Sequence, residues 1–174
     1  MFFQISITLI TQEIKETWSK LGELNIPVFV PLSFYGKVKT SNPVYYYMNA
    51  RWLWFNKNVT DITKPIATIS YTAFRALAVA CYLGFEKIYF AGIDMSWFKY
   101  MKCNKNNEVF YSDIRFYYES ETDAPQVSVR HIGFDHMGSF LFRLSFGFNE
   151  AYLFPKDRII NLDPEGLIDA FPKK

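Results

Sequence analysis

Few residues in this chain have the type and spacing to do chemistry. Asp94 follows the almost wholly apolar and aromatic run Lys87–Ile93. Two hydroxyl residues, Ser70 and Thr72, stand at the start of a helix-like segment. The only two histidines, His131 and His136, share the stretch V-R-H-I-G-F-D-H-M-G-S-F. A carboxylate at a strand's end suits a ligand site, because in open α/β sheets ligands bind outside the carboxyl ends of the strands. It equally suits a cap on the next turn. A neutral imidazole is a good proton acceptor near pH 7, and a lone histidine at a helix start also reads as structural. Both readings of each residue stand on the residues alone.

These groups must be positioned by the segment from Ser70 to Trp97. Phe74, Leu77, Ala78 and Cys81 fall on one helical face. Thr72 or Ser70 is placed to cap that helix, since a hydroxyl accepts from a first-turn N–H that has no helical partner. Ala76, Ala78 and Ala80 are small enough to let the helix lie close to a sheet. Gly84 sits where a helix stop needs a left-handed residue. Lys87–Ile93 then reads as a central strand covered on both faces, with Gly92 allowing close backbone approach and Asp94 at its carboxyl end.

The segment Y-T-A-F-R-A-L-A-V-A-C-Y-L-G-F-E-K-I-Y-F-A-G-I-D resembles the central helix–strand unit of the bacterial sialyltransferases that act on lipooligosaccharide. It is equally similar to a related family that includes the archaeal 6-hydroxymethylpterin diphosphokinases. The closing stretch N-L-D-P-E-G-L-I-D-A-F-P-K resembles the N-L-[ST]-P-x-S-x-[LI]-x-x-F-P-K ending of the same wider group, with Asp163 in place of a hydroxyl residue and Gly166 in place of a serine. The resemblance covers roughly residues 60–174. It implies an α/β fold, a Rossmann-like three-layer sandwich with a mainly parallel sheet. The G-x-G-P-S-L-type turn that usually follows the first strand in that group is missing, so the sandwich is expected to be incomplete at its N-terminal end.

Phe2–Leu9 reads as a strand. Thr11 caps a following helix, with Glu13 and Glu16 near the positive end of its dipole and Ile14, Trp18, Leu21 and Leu24 as its buried stripe. Asn25 ends it, and Ile26–Leu32 is a second strand with Pro27 and Pro31 near its ends. Residues 34–63 crowd together Tyr45, Tyr46, Tyr47, Trp52, Trp54 and Phe55. Tyr46, Arg51 or Trp54 could stack an acceptor or a base there, or the loop is packed by its own aromatics. Residues 95–130 are expected to form a lid-like insertion, with Val109–Tyr118 strand-like; the resemblance implies that a tyrosine from it (Tyr100, Tyr111, Tyr117 or Tyr118) touches the leaving phosphate. Asp135 is placed to cap a helix from His136 to about Phe148, burying Phe140, Leu141, Leu144 and Phe148. Arg158–Leu162 is a strand, after which Pro164 begins a turn and Leu167, Ile168 and Phe171 pack back.

The chain has 174 residues, enough for a single domain (1–174) with a sizeable core. A net charge of +2, with the lysines and arginines scattered, argues against nucleic acid as the main partner. The 18 Phe, 12 Tyr and 4 Trp point to a heavy aromatic core, or to a sugar-binding or partner-facing surface. Cys81 and Cys103 suit a reducing compartment, and no cysteine–histidine spacing fits a metal site. No signal-peptide pattern and no apolar run of membrane-spanning length stands in the sequence. The expected location is the cytoplasm, with peripheral attachment at the inner face of the membrane left open.

Three functions follow. The first is a glycosyltransferase of bacterial surface-glycan synthesis that moves a sialic-acid-like sugar from a CMP-sugar donor to a glycan hydroxyl. By the resemblance, His136 would be the general base. Ser70, Thr72, Gly92 and Asp94 would hold the donor nucleotide, with a helix N-terminus behind the phosphate. No metal or other cofactor is required. The second is diphosphoryl transfer from ATP to a pterin alcohol, which needs magnesium and makes Asp94 a ligand. The third is a non-catalytic partial domain.

Overall fold

The computed structural model describes residues 25–38, 40–50, 56–67, 69, 71–93, 95–112, 124–130, 133 and 136–174. The expectations for residues 1–24, for Arg51, Trp52, Trp54 and Phe55, and for Ser70, Asp94, Tyr117, Tyr118, His131 and Asp135 lie outside these residues.

Within them the protein is a mixed α/β structure of two helices and small sheets. Strand β1 (Val28–Pro31) pairs in parallel with β2 (Val44–Tyr47). Just past β2, Asn49 forms a parallel bridge to Ile66, so the chain that leads into helix α1 (Thr72–Tyr82) runs alongside β2. Strand β3 (Ile88–Phe90) follows. It pairs in parallel with β7 (Ile159–Asn161), and a further parallel bridge joins Asn161 to Lys173. Between them lie an antiparallel sheet, β4 (Met101–Cys103), β5 (Val109–Ser112) and β6 (Gln126–Ser128), and helix α2 (Met137–Ala151).

Helix α1 carries the expected apolar face: Phe74, Leu77, Ala78 and Cys81 are buried, joined by Val79. It ends as the sequence predicts, with Gly84 at φ +83 and its N–H donating to the Cys81 carbonyl. Arg158 finishes that end. Its guanidinium donates to the Cys81 and Phe85 carbonyls, placing a cation at the negative pole of the helix. The start of α1 differs from expectation. Tyr71, with extended backbone, takes the N-cap position and its own side chain makes no capping hydrogen bond; Thr72 is the first helical residue and is exposed.

The strand after α1 is shorter than the apolar run. It covers Ile88–Phe90, because the chain leaves extended geometry at Gly92, φ +72. Nor is it covered on both faces: Tyr89 is 52 % exposed. The apolar character of the run reflects one buried face, on which Phe90 packs edge-on against Phe171.

One core joins these pieces. Phe29, Tyr47, Ile66, Ile69, Phe74, Phe90, Leu144, Phe154, Ile159, Ile168 and Phe171 belong to a single buried cluster. The far face of β1 packs Val28 and Val30 under Phe34 in a second, smaller one. The tail packs back as expected through Ile168 and Phe171, while Leu167 is half-buried. Helix α2 runs longer than the expected 136–148. Its buried face is Phe140, Leu144, Gly147, Glu150 and Ala151; Leu141 faces out and Phe148 is half-buried.

Candidate functional site

His136 caps α2. Its backbone is extended (φ −157, ψ 167), and Nδ1 accepts the Ser139 N–H at 3.1 Å. With Nδ1 accepting, the tautomer of the ring that this bond selects carries its one N–H on Nε2. Ser139 Oγ stands 3.2 Å from Nε2, within reach of that N–H. The ring is exposed and lines a cavity of about 90 Å³ with Asn107, Val109, Val129 and Arg130. The β5–β6 side of the antiparallel sheet supplies Val109, and Val129 and Arg130 follow β6. Tyr111 of β5 stacks on Phe140 of α2, centroids 6.0 Å apart, and holds sheet and helix together beside the cavity.

The donor-side candidates sit elsewhere. Thr72 lies in the first turn of α1 with its side chain exposed. Gly92 turns the chain out of β3, and a Cβ there would meet nothing within 4 Å. Its role is therefore conformational rather than close approach to protein atoms. Met95, also left-handed at φ +54, dives into the core at 2 % exposure. Ser70 and Asp94 lie outside the described residues, but their neighbours meet. A Cβ on Gly147 of α2 would collide with the Tyr71 ring and with Met95 Cε at 2.7 Å. The residues beside Ser70 and Thr72, and the residue beside Asp94, thus converge on one point of α2.

His136 is not at that point. At 1.5 Å per residue, α2 carries it about 16 Å along its axis from the level of Gly147. The structure therefore brings Tyr71 and Met95 together on α2, and sets the histidine apart, beside the antiparallel sheet.

Burial pushes the Tyr71 phenol up to about 12, reinforced by the Glu150 carboxylate and opposed by Arg143. Burial likewise pushes Tyr47 up to about 12 against the lowering influence of Arg75. Burial also raises the Cys81 thiol, which makes it the small core residue that the sequence suggests rather than a nucleophile. Of the aromatic stretch, Tyr45 stacks on Phe29 at 5.0 Å, Tyr46 tilts against Tyr35 at 5.3 Å and Tyr47 is buried. These three are engaged with the chain's own aromatics. Among the described residues no group of three or more His, Cys, Asp or Glu could hold a metal ion, and no helix is long and apolar enough to cross a membrane.

Sequence reasoning missed Ser139, Arg130, Asn107 and Gly147. The last had a signal: a glycine inside a helix costs about 0.5–1 kcal/mol relative to alanine, so its presence in F-G-F announces a close approach. No family model, curated protein or solved structure matches the chain.

Proposed function

We propose that the chain is a glycosyltransferase-like protein that moves a sialic-acid-like sugar from a CMP-sugar to a glycan hydroxyl, on a Rossmann-like sheet incomplete at its N-terminal end. The observation that carries this reading is the meeting of Tyr71 and Met95 on Gly147. It sets the N-cap residue of α1 and a residue five past the end of β3 against one point of α2, which supports a ligand site near the carboxyl end of β3, since α/β proteins bind nucleotides at such ends. In this reading the α1 N-terminus faces donor phosphate, Ser70 and Thr72 are hydroxyl donors, and Gly92 and Asp94 complete the donor site. The acceptor oxygen forms its bond to the anomeric carbon as the bond to the phosphate oxygen breaks. CMP departs with that electron pair, and the acceptor proton passes to a base.

His136 is that base in this proposal. To accept the proton it must release the Ser139 N–H from Nδ1 and stand within hydrogen-bond reach of the attacking oxygen; its place about 16 Å along α2 from the level of Gly147 does not meet that demand in this structure and weighs toward a capping role. The chain would work in the cytoplasm, at the inner face of the membrane where surface glycans are assembled.

The engagement of both ring nitrogens with Ser139 favours a second reading, in which His136 is only a cap and the chain is a non-catalytic partial domain. Isothermal titration separates the two. Saturable binding of cytidine monophosphate, lost in Thr72→Val and kept in His136→Asn, is expected of the transferase. Binding only of ATP with magnesium, lost in Asp94→Asn, would replace it with the diphosphokinase-like reading. Binding of neither would leave the non-catalytic domain.

A further inference from the structure

The cavity beside His136 has an apolar floor and a polar rim. The floor is a cross-strand pair. The register of β5 on β6 sets Phe110 against Ser128, so Val109 stands opposite Val129, and the Val129 N–H donates to the Val109 carbonyl at 2.9 Å. Directly opposed residues of an antiparallel pair share one face. Val129 is buried and Val109 half-buried. The rim is Asn107 from the β4–β5 turn, Arg130 from beyond β6 and His136 from the start of α2.

Backbone bonds fix each rim residue. Asn107 is left-handed at φ +59, and its N–H donates to the Asn104 carbonyl at 3.0 Å. The Arg130 carbonyl accepts the Gly133 N–H at 3.0 Å, which closes a turn. His136 is held through Nδ1 by the Ser139 N–H. Two of the side chains are less engaged. Among the described residues, no side-chain hydrogen bond or ion pair occupies the Arg130 guanidinium or the Asn107 amide. Nor does a described carboxylate line the cavity. Glu108, beside Asn107 in the chain, accepts from Asn104 Nδ2 at 2.7 Å instead.

We propose that this cavity binds the carboxylate of a small organic acid, with the Arg130 fork on its oxygens and a short apolar stem against Val109 and Val129. The donors decide the charge. A guanidinium carries only donors, and the Nε2–H of His136 is another, so an ammonium finds no counter-charge there. The floor decides the shape. A planar carboxylate turns both oxygens to a guanidinium in paired bonds. A tetrahedral phosphate would leave an oxygen against the valines, and an unpaired polar group on an apolar surface is unfavourable. Size limits the rest. The space is about 90 Å³, and one water takes about 30 Å³ of the liquid. A carboxyl head with a stem of about two carbons fits, whereas a nucleotide does not. The site is therefore separate from the donor site proposed above and does not depend on the transferase reading.

An NMR titration of the isotope-labelled chain tests this, at constant ionic strength so that screening stays the same. Propionate is the probe, followed at the backbone amides of Val109, Val129 and Arg130. Saturable shifts are expected, with Kd in the millimolar range that suits so small a ligand. Propionamide has the same shape without the charge and should bind about tenfold more weakly. Arg130→Gln should weaken propionate by about tenfold, and Arg130→Lys should recover only part of that loss, since an ammonium has no planar fork. Arg130 is exposed, so both variants should melt with the wild type and report binding alone. Shifts that stay linear to about 100 mM propionate, propionamide binding as well as propionate, or unchanged affinity in Arg130→Gln would overturn the site. Inorganic phosphate binding more tightly than propionate, or full affinity in Arg130→Lys, would overturn the carboxylate-on-fork assignment.

Discussion

At the scale of single residues, His136 carries two demands that one substitution can pull apart. Asparagine is as good an N-cap as any residue and has no basic ring. His136→Ala should lower stability by about 0.5–2 kcal/mol in urea unfolding, whereas His136→Asn should stay close to wild type. If the histidine is the base, both variants lose sugar transfer, and the loss in the stable asparagine variant is the informative one. The tyrosines make a second residue-scale prediction. Tyr47 and Tyr71 hold their protons to about 12 when folded, against an ordinary value of 10.0. The native state binds these protons more tightly than the unfolded chain does. Their contribution to stability is therefore intact below pH 10 and is lost as the pH rises from 10 through 12. Ultraviolet titration should show these two phenols ionising above the ordinary tyrosine value, and Tyr47→Phe with Tyr71→Phe should flatten the alkaline loss of stability over that window.

At the scale of elements, Gly147 decides how α2 meets α1. Placing alanine there gains helix propensity of up to about 1 kcal/mol but drives a methyl into the Tyr71 ring and Met95 Cε. A ring fixed at the start of a helix cannot yield as a chain end can. Gly147→Ala should therefore be net destabilising, by about 1–3 kcal/mol for an overpacked contact, read as a lower urea midpoint. Gly138→Ala is the control on the same helix: its methyl would touch only the His136 ring, at 3.2 and 3.3 Å, and that ring is exposed. At the far end of α1, Gly84→Ala should cost about 1–2 kcal/mol, because the residue sits at φ +83. A Cβ there meets no neighbour, so the loss is purely one of backbone strain.

At the scale of the whole molecule, the C-terminal segment closes the core. Phe171 packs edge-on against both Phe90 and Phe154, centroids 5.5 and 6.5 Å apart, and Ile168 is fully buried. Phe171→Ala should cost about 3–5 kcal/mol, a large share of the 5–15 kcal/mol typical of a domain. Thermal melting should show it as a large drop in Tm that reaches α1 and β3 together, since these share one cluster with the tail.

The sequence by itself determined the elements whose signals are local. The apolar face of α1 and its stop at Gly84 follow from 3.6-residue periodicity and from the tolerance of glycine for positive φ. The return of Ile168 and Phe171 to the core follows from their pattern after Pro164. Tertiary structure decided what depends on neighbours distant in the chain. It placed Tyr71 rather than a hydroxyl residue at the α1 cap, because the ring is claimed by Gly147 of α2. It left one side of β3 exposed at Tyr89, since an apolar run records composition and not what lies across from each face. It put His136, rather than an acid, over the first turn of α2, and set Arg130 and Asn107 around the same cavity. Periodicity and propensity describe a segment against its own axis. Which side chain fills the space beside it, and which polar groups meet around a cavity, is settled only when segments far apart in sequence pack together.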